Sequence, residues 1–186
     1  TTMAVGGGNS GDGEVTLSWT LNAPSNFTIV DTRSTEVDLS WDSVTNADEY
    51  EVYYSTSSGV DASDTLAGTT SSTSITVTGL NSSTTYYFAV RATDGSNYSD
   101  FSTEENTTTK IAAPTNLSVD AHDGTSIDLS WSSVSGTDGY HVYRALSSGG
   151  GTLSNYTQVA DVGTTSHSDT GLDNGEEYFY VVTAYD

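Results

Sequence analysis

Side chains able to do chemistry are plentiful in this chain but poorly grouped. Its three histidines, His122, His141 and His167, fall in separate segments, read as one loop and two strands. They show no His-x-x-x-His spacing, and the chain has no cysteine to complete a zinc set. Ser, Asp and His abound, yet no Gly-x-Ser-x-Gly elbow occurs to lift a serine nucleophile onto a strand-to-helix turn. The chain is therefore read as a non-enzyme. Calcium, which prefers several oxygen ligands, is the one cofactor its turns could attract. Asp94-Gly95-Ser96-Asn97-Tyr98-Ser99-Asp100 and Asp61-Ala62-Ser63-Asp64 are the candidate loops. Neither follows the twelve-residue helix-loop-helix pattern, and scattered turn acids are more often simply solvated. Six Asn-x-Ser/Thr sequences, at Asn26, Asn81, Asn97, Asn106, Asn116 and Asn155, could accept N-glycans. About three would arise by chance at this Ser and Thr content, so the excess is modest.

Four basic residues, Arg33, Arg91, Lys110 and Arg144, face 25 acidic ones, for a formal net charge of −21. Four cations cannot neutralise a run of phosphates, which excludes an electrostatic nucleic-acid binder and docking on an anionic membrane. No apolar run approaches the roughly 20 residues of a spanning helix. Ser and Thr together number 60, and Lys occurs once. This polar but weakly basic composition points to an extracellular or cell-surface protein. Twelve Tyr and three Trp, with regularly spaced Val and Leu, argue against the disorder that such acidity might otherwise bring.

The elements that carry these residues are organised by an internal repeat. At an offset of 90, Ala23-Pro24-Ser25-Asn26 matches Ala113-Pro114-Thr115-Asn116, and Val37-Asp38-Leu39-Ser40-Trp41 matches Ile127-Asp128-Leu129-Ser130-Trp131. Tyr50-Glu51-Val52-Tyr53 matches Tyr140-His141-Val142-Tyr143. At an offset of 92, Gly79-Leu80 matches Gly171-Leu172, and Tyr86 through Asp94 matches Tyr178 through Asp186. Within each copy, apolar residues alternate with polar ones, as in Val37, Leu39 and Trp41 or Tyr50, Val52 and Tyr54. That period of two predicts strands with one buried face. Gly, Ser, Asn and Asp clusters between the runs supply turns. The expected class is all-β, a tandem pair of sandwiches.

These residues resemble the fibronectin type III family. The resemblance rests on Pro24, Trp41, Tyr50-x-Val52 and, most of all, Leu80-x-Ser82-x-Thr84-x-Tyr86-x-x-x-Val90-x-Ala92. In the second copy the same positions are Pro114, Trp131, Tyr140-x-Val142 and Leu172-x-Asn174-x-Glu176-x-Tyr178-x-x-x-Val182-x-Ala184. It implies seven-stranded sandwiches with Trp41, Trp131, Leu80, Tyr86 and Leu172 in their cores, and a tyrosine corner before the sixth strand. It implies little about function, because the fold serves adhesion, spacing and scaffolding alike.

The division expected is an N-terminal extension over 1–21, a first domain over 22–110 and a second over 111–186. The first copy continues for sixteen residues beyond Asp94, with a seventh strand expected near 101–109, whereas the second stops at the equivalent residue, Asp186. Its last strand is expected to be missing. In front of the first copy, Val15, Leu17, Trp19 and Leu21 alternate with polar residues where a preceding domain's last strand would lie. The expectation is donor-strand complementation. Val15, Leu17, Trp19 and Leu21 of one molecule would cover an acceptor groove of Tyr178, Tyr180, Val182 and Ala184 in an identical subunit. Such a head-to-tail contact propagates as a pilus-like homopolymer. Seven strands put a domain's start and end at opposite poles, which disfavours closure of the donor onto its own chain. The alternative is a fragment of a longer secreted or cell-surface protein with tandem adhesion or spacer modules, and no motif names an adhesion target. The outward set Phe179, Val181 and Tyr185, with Tyr143, is a further candidate for an exposed contact patch.

Overall fold

The computed structural model describes residues 20–150 and 152–186. The expected donor residues Val15, Leu17 and Trp19 lie outside them. Among the described residues there are thirteen strands and one short 3-10 turn, Leu153–Asn155, in two compact units.

The first sandwich contains β1 (Thr28–Thr32), β2 (Glu36–Ser40), β3 (Glu49–Ser55), β4 (Thr65–Thr70), β5 (Ser74–Thr78), β6 (Thr85–Thr93) and β7 (Glu105–Thr108). They form one sheet in the order β1-β2-β5 and a facing sheet in the order β4-β3-β6-β7. The second contains β8 (Ser118–His122), β9 (Ser126–Ser130), β10 (Gly139–Ala145), β11 (Thr157–Val162), β12 (Ser166–Thr170) and β13 (Phe179–Tyr185). Its described sheets run β12-β9-β8 and β11-β10-β13. His122 ends β8, paired with Ile127, and so sits on a strand rather than the expected loop.

The alternation read from sequence is what buries each core. Val37 and Leu39 are buried on β2, and Trp41 follows them directly. The tryptophan ring meets Tyr50 edge-on at 5.4 Å, and Trp131 meets Tyr140 at 5.5 Å. Each of these tyrosines also accepts a backbone N–H from the preceding turn: Val44 gives one to Tyr50 at 2.7 Å, and Val134 gives one to Tyr140 at 2.9 Å. The aromatic pair thus welds a turn to the sheet in both copies. Leu80, Tyr86, Trp131 and Leu172 are likewise buried.

Both faces of β3 are covered. Opposite Val52 and Tyr53 an extra residue, Ala67, bulges from β4, as Val159 does from β11 opposite Val142 and Tyr143. On the outer face Tyr53 is buried with Val60 and Ala89 in a small cluster, and on the inner face Tyr54 is half-buried against the rings of Tyr86 and Phe88. The last strand of the first sandwich is also shorter than the 101–109 expected. Phe101 packs against the Tyr53 cluster instead of joining the ladder, so pairing begins only at Glu105. Leu21 lies in no strand and is buried, so it is not an exposed member of a donor run.

Glu104, just before β7, fastens this outer cluster. Its carboxylate accepts the Ser58 hydroxyl at 2.7 Å and the backbone N–H groups of Gly59 and Val60 at 2.7 and 2.8 Å. Desolvation pushes its pKa up, but the Val60, Ser58 and Gly59 donors outweigh it and hold the carboxyl below the usual range. A carboxyl depressed in the folded state stabilises above its unfolded pKa, and the gain disappears as pH falls through the folded one. Glu104→Gln should therefore lower the first domain's stability by about 1–2 kcal/mol at neutral pH. In urea titrations the difference from the parent should close as the solution is acidified below the ordinary carboxylate range.

Candidate functional site

The sixth strand of each sandwich turns one row of side chains inward and offers backbone groups along its outer edge. In the first sandwich that edge is fully answered. Thr109 N–H donates to the Thr84 carbonyl at 3.0 Å, and its hydroxyl accepts from Thr84 N–H and donates to the Asn81 carbonyl at 2.6 Å. The hydroxyls of Thr85 and Thr108 touch at 2.8 Å, which fixes the register of β7 against β6. Further up, two serines replace a regular ladder. Ser102 donates its N–H to the Val90 carbonyl and accepts Val90 N–H on its hydroxyl. Ser99 does the same for Ala92. Behind this edge Tyr86, Phe88, Val90 and Ala92 are buried, at 5, 0, 0 and 0% exposure.

The second sandwich differs at this place. β13 pairs with β10 on one side, from Gly139 opposite Tyr185 to Ala145 opposite Phe179. Its other edge has no strand neighbour among the described residues. Of the inward row, Val182 is buried, whereas Tyr178, Tyr180 and Ala184 are half-exposed. Beside them lies a cleft of about 480 Å³ walled by His122, Ile127, Leu172, Asn174, Glu176 and Tyr178. Ile127 and Leu172 correspond to Val37 and Leu80, and Glu176 corresponds to Thr84, the partner of buried Thr109. The Tyr178 hydroxyl accepts Asp173 N–H at 3.0 Å, which holds the loop before the strand as a tyrosine corner does.

A polar trio missed by the sequence reading sits on this same face. The Arg144 guanidinium donates to both carboxylate oxygens of Asp169, at 3.1 and 3.0 Å, and lies 5.3 Å from the centre of the Tyr178 ring. The Tyr180 hydroxyl donates to Asp169 at 2.8 Å. Burial, then the Asp169 bond, push the Tyr180 phenol well above its usual pKa. The repeat offsets place Tyr54, Val77 and Phe88 at these positions in the first sandwich. Where one copy packs rings and a methyl pair, the other holds an ion pair and a phenol. Asp169 itself is buried, so the pair bears a desolvation cost that its geometry must offset.

The remaining candidates are dispersed. His141 stacks on Tyr185 at 4.5 Å and stands 3.6 Å from Asp161, which also accepts the Tyr185 hydroxyl. His167 lies on β12, apart from it. The expected outward patch is half-buried at Phe179, Val181, Tyr185 and Tyr143, with Tyr185 tied into this polar contact, so it is not a freely exposed apolar surface. Three of the four acids of the two candidate calcium loops bind their own turns, and the fourth, Asp100, is exposed. Asp94 accepts the N–H groups of Ser96 and Asn97, Asp61 accepts the hydroxyl and N–H of Ser63, and Asp64 accepts Asp61 N–H. Among the described residues no three His, Asp or Glu side chains converge on a metal position. Asn26 and Asn116 adopt left-handed backbone angles of 51° and 57°, and their side-chain amides donate to Asp42 and Ser132. A turn role accounts for their repetition. Asn81, Asn97, Asn106 and Asn155 are exposed.

The fibronectin type III domain model matches residues 22–108 and again 112–186. Tenascin-R of Rattus norvegicus is 36% identical over 186 residues, covering 97% of this chain and 13% of that protein. Exoglucanase B of Cellulomonas fimi is 33% identical over 170 residues, covering 82% of this chain and 14% of that protein. A two-domain fibronectin type III segment of chicken tenascin superposes with a TM-score of 0.54 at 23% identity. It covers 89% of this chain and 92% of that one, and shows a shared fold. The chain thus spans about an eighth of the length of the tenascin-R it matches.

Asp169→Ala should destabilise the second sandwich by about 2–4 kcal/mol, since it strands a partly buried guanidinium. Restoring the first copy's residues together, Arg144→Tyr with Asp169→Val and Tyr180→Phe, should be neutral or stabilising. Amide exchange on β9, β10 and β13 reads both outcomes separately from the first sandwich.

Proposed function

As the chain belongs to the fibronectin type III family, we propose that it is a segment of a longer extracellular or cell-surface protein in which the tandem domains act as adhesion or spacer modules. The observation that carries this reading is the similarity to tenascin-R, which runs through both domains rather than one. The match to a seventh of an exoglucanase supports the same role, that of a module carried beside other parts. No catalysis is assigned to the chain, and the dispersed His, Ser and Asp side chains support that choice. The polar, Ser- and Thr-rich composition with a single Lys supports the location. Sequencing the reading frame on either side tests the proposal. A further fibronectin type III domain there is expected, and a secretion signal directly before Thr1 with a stop codon directly after Asp186 would overturn it.

A second reading has one observation in its favour, the unneighboured edge of β13 with its half-exposed inward row. In that reading the chain is a structural subunit of a pilus-like extracellular filament, and the N-terminal residues of one molecule complete the second domain of the next. Each apolar side chain so buried would contribute roughly 1.5–3 kcal/mol before the cost of ordering the segment. Sedimentation velocity separates the two. Strand donation expects chain 1–186 to form concentration-dependent oligomers and chain 21–186 to stay monomeric, whereas a spacer module expects both to be monomers.

A further inference from the structure

We propose that Asn174 is a site of spontaneous covalent modification. It cyclises onto Gly175 with loss of ammonia and reopens to isoaspartate, which releases the loop before β13 from Tyr178. No other asparagine of the chain is followed by glycine. Ring closure needs the main-chain nitrogen of the next residue to reach the side-chain amide carbon, and glycine alone brings no Cβ into that approach. The first copy holds Ser82 and Ser83 at the matching positions, at the offset of 92, and has no side-chain amide there.

The fold leaves both reacting groups unheld. Asn174 and Gly175 are exposed, at the centre of a β-turn that the Glu176 N–H closes on the Asp173 carbonyl at a long 3.4 Å. Gly175 supplies the left-handed φ, 91°, at the second central position. The Asn174 amide lies beside Gly124, where an added Cβ would stand 3.3 Å from its carbon. Among the described residues neither that amide nor the Gly175 N–H has a hydrogen-bond partner. Opening one weak, exposed bond therefore frees the pair to rotate together, a local event that leaves the ladders intact. The described Asp-Gly pairs, which could cyclise in the same way, are held. Asp94 accepts the N–H groups of Ser96 and Asn97, and Asp123 accepts those of Thr125 and Ser126. Gly139, after Asp138, is buried at the start of β10 with its N–H on the Thr137 hydroxyl.

In the first step the Gly175 nitrogen attacks Cγ of Asn174. A C–N bond forms, the Cγ–Nδ2 bond breaks, and the Gly175 proton leaves with the amide nitrogen as ammonia. Water then opens the succinimide. Cleavage at Cγ gives aspartate, whereas cleavage at the main-chain carbonyl carbon leaves the chain running through Cγ, one methylene longer. No oxidant or reductant takes part. Either product sets a carboxylate beside Asp173, Glu176 and Glu177. The isoaspartate also lengthens the main chain between Asp173 and Tyr178, whose hydroxyl holds the Asp173 N–H at 3.0 Å.

Incubation of the full chain in mildly alkaline buffer tests both parts. Isoelectric focusing should show a more acidic species that accumulates faster as pH rises, and peptide mapping should place isoaspartate at position 174. Asn174→Gln and, separately, Gly175→Ala should each slow its appearance at least about tenfold. Amide exchange at Asp173 reads the consequence. The purified isoaspartate form should exchange there at least about fivefold faster than fresh Asn174→Asp, which carries the charge without the extra methylene. No acidic species, or one that accumulates undiminished in Asn174→Gln, would overturn the site. Equal exchange in the isoaspartate form and Asn174→Asp would overturn the release from Tyr178.

Discussion

A strand's lateral N–H and C=O groups have to be answered, and in this molecule that demand bears hardest on the sixth strand of each sandwich. It is the strand whose inward row fills the middle of the core. Whatever answers its edge also covers the row behind it, so hydrogen bonding and burial are satisfied or left open together. In the first sandwich the edge is met twice over, by Thr109 with β7 at one end and by Ser99 and Ser102 at the other. Phe88 and Val90 are sealed as a result. In the second the same strand is answered on one side among the described residues, and its aromatic row meets water.

The polar trio follows the same constraint. A Phe at the position of half-exposed Tyr180 would present apolar surface beside an edge with no strand neighbour among the described residues. An ion pair capped by a phenol keeps the sheet faces together while tolerating water nearby. The trio marks where the otherwise matched inward rows of the two copies differ in polarity. It is a local concession within an otherwise repeated core.

Much of this was legible in the residues. The offsets of 90 and 92 place β8 to β13 over β1 to β6, because period-two burial and the Trp–Tyr pair are set by local sequence. The bulge of β4 opposite Val52 was not legible, since its extra residue, Ala67, is of no distinctive type. Nor was the early end of pairing before β7. Ser99 and Ser102 bond to β6 through hydroxyls, and nothing in their spacing separates that use from an ordinary loop. The trio did leave a signal, an Asp in the inward position that holds Val77 in the other copy. Reading the two copies against each other for changes of polarity, instead of for matches, would have found it.

One feature of the charge arrangement reaches beyond either sandwich. Each of the three arginines is held by an acid of its own fold, Arg33 by Glu36, Arg91 by Glu51 and Arg144 by Asp169. Arg91 is further enclosed by the rings of Tyr98, Tyr53 and Phe101. The guanidinium charges are answered within their own folds, and the outward field is left to the carboxylates with Lys110. Many such units in series would behave as a polyanion, stretched and mutually avoiding in dilute electrolyte, and drawn closer once counterions shorten the Debye length to about 10 Å or less.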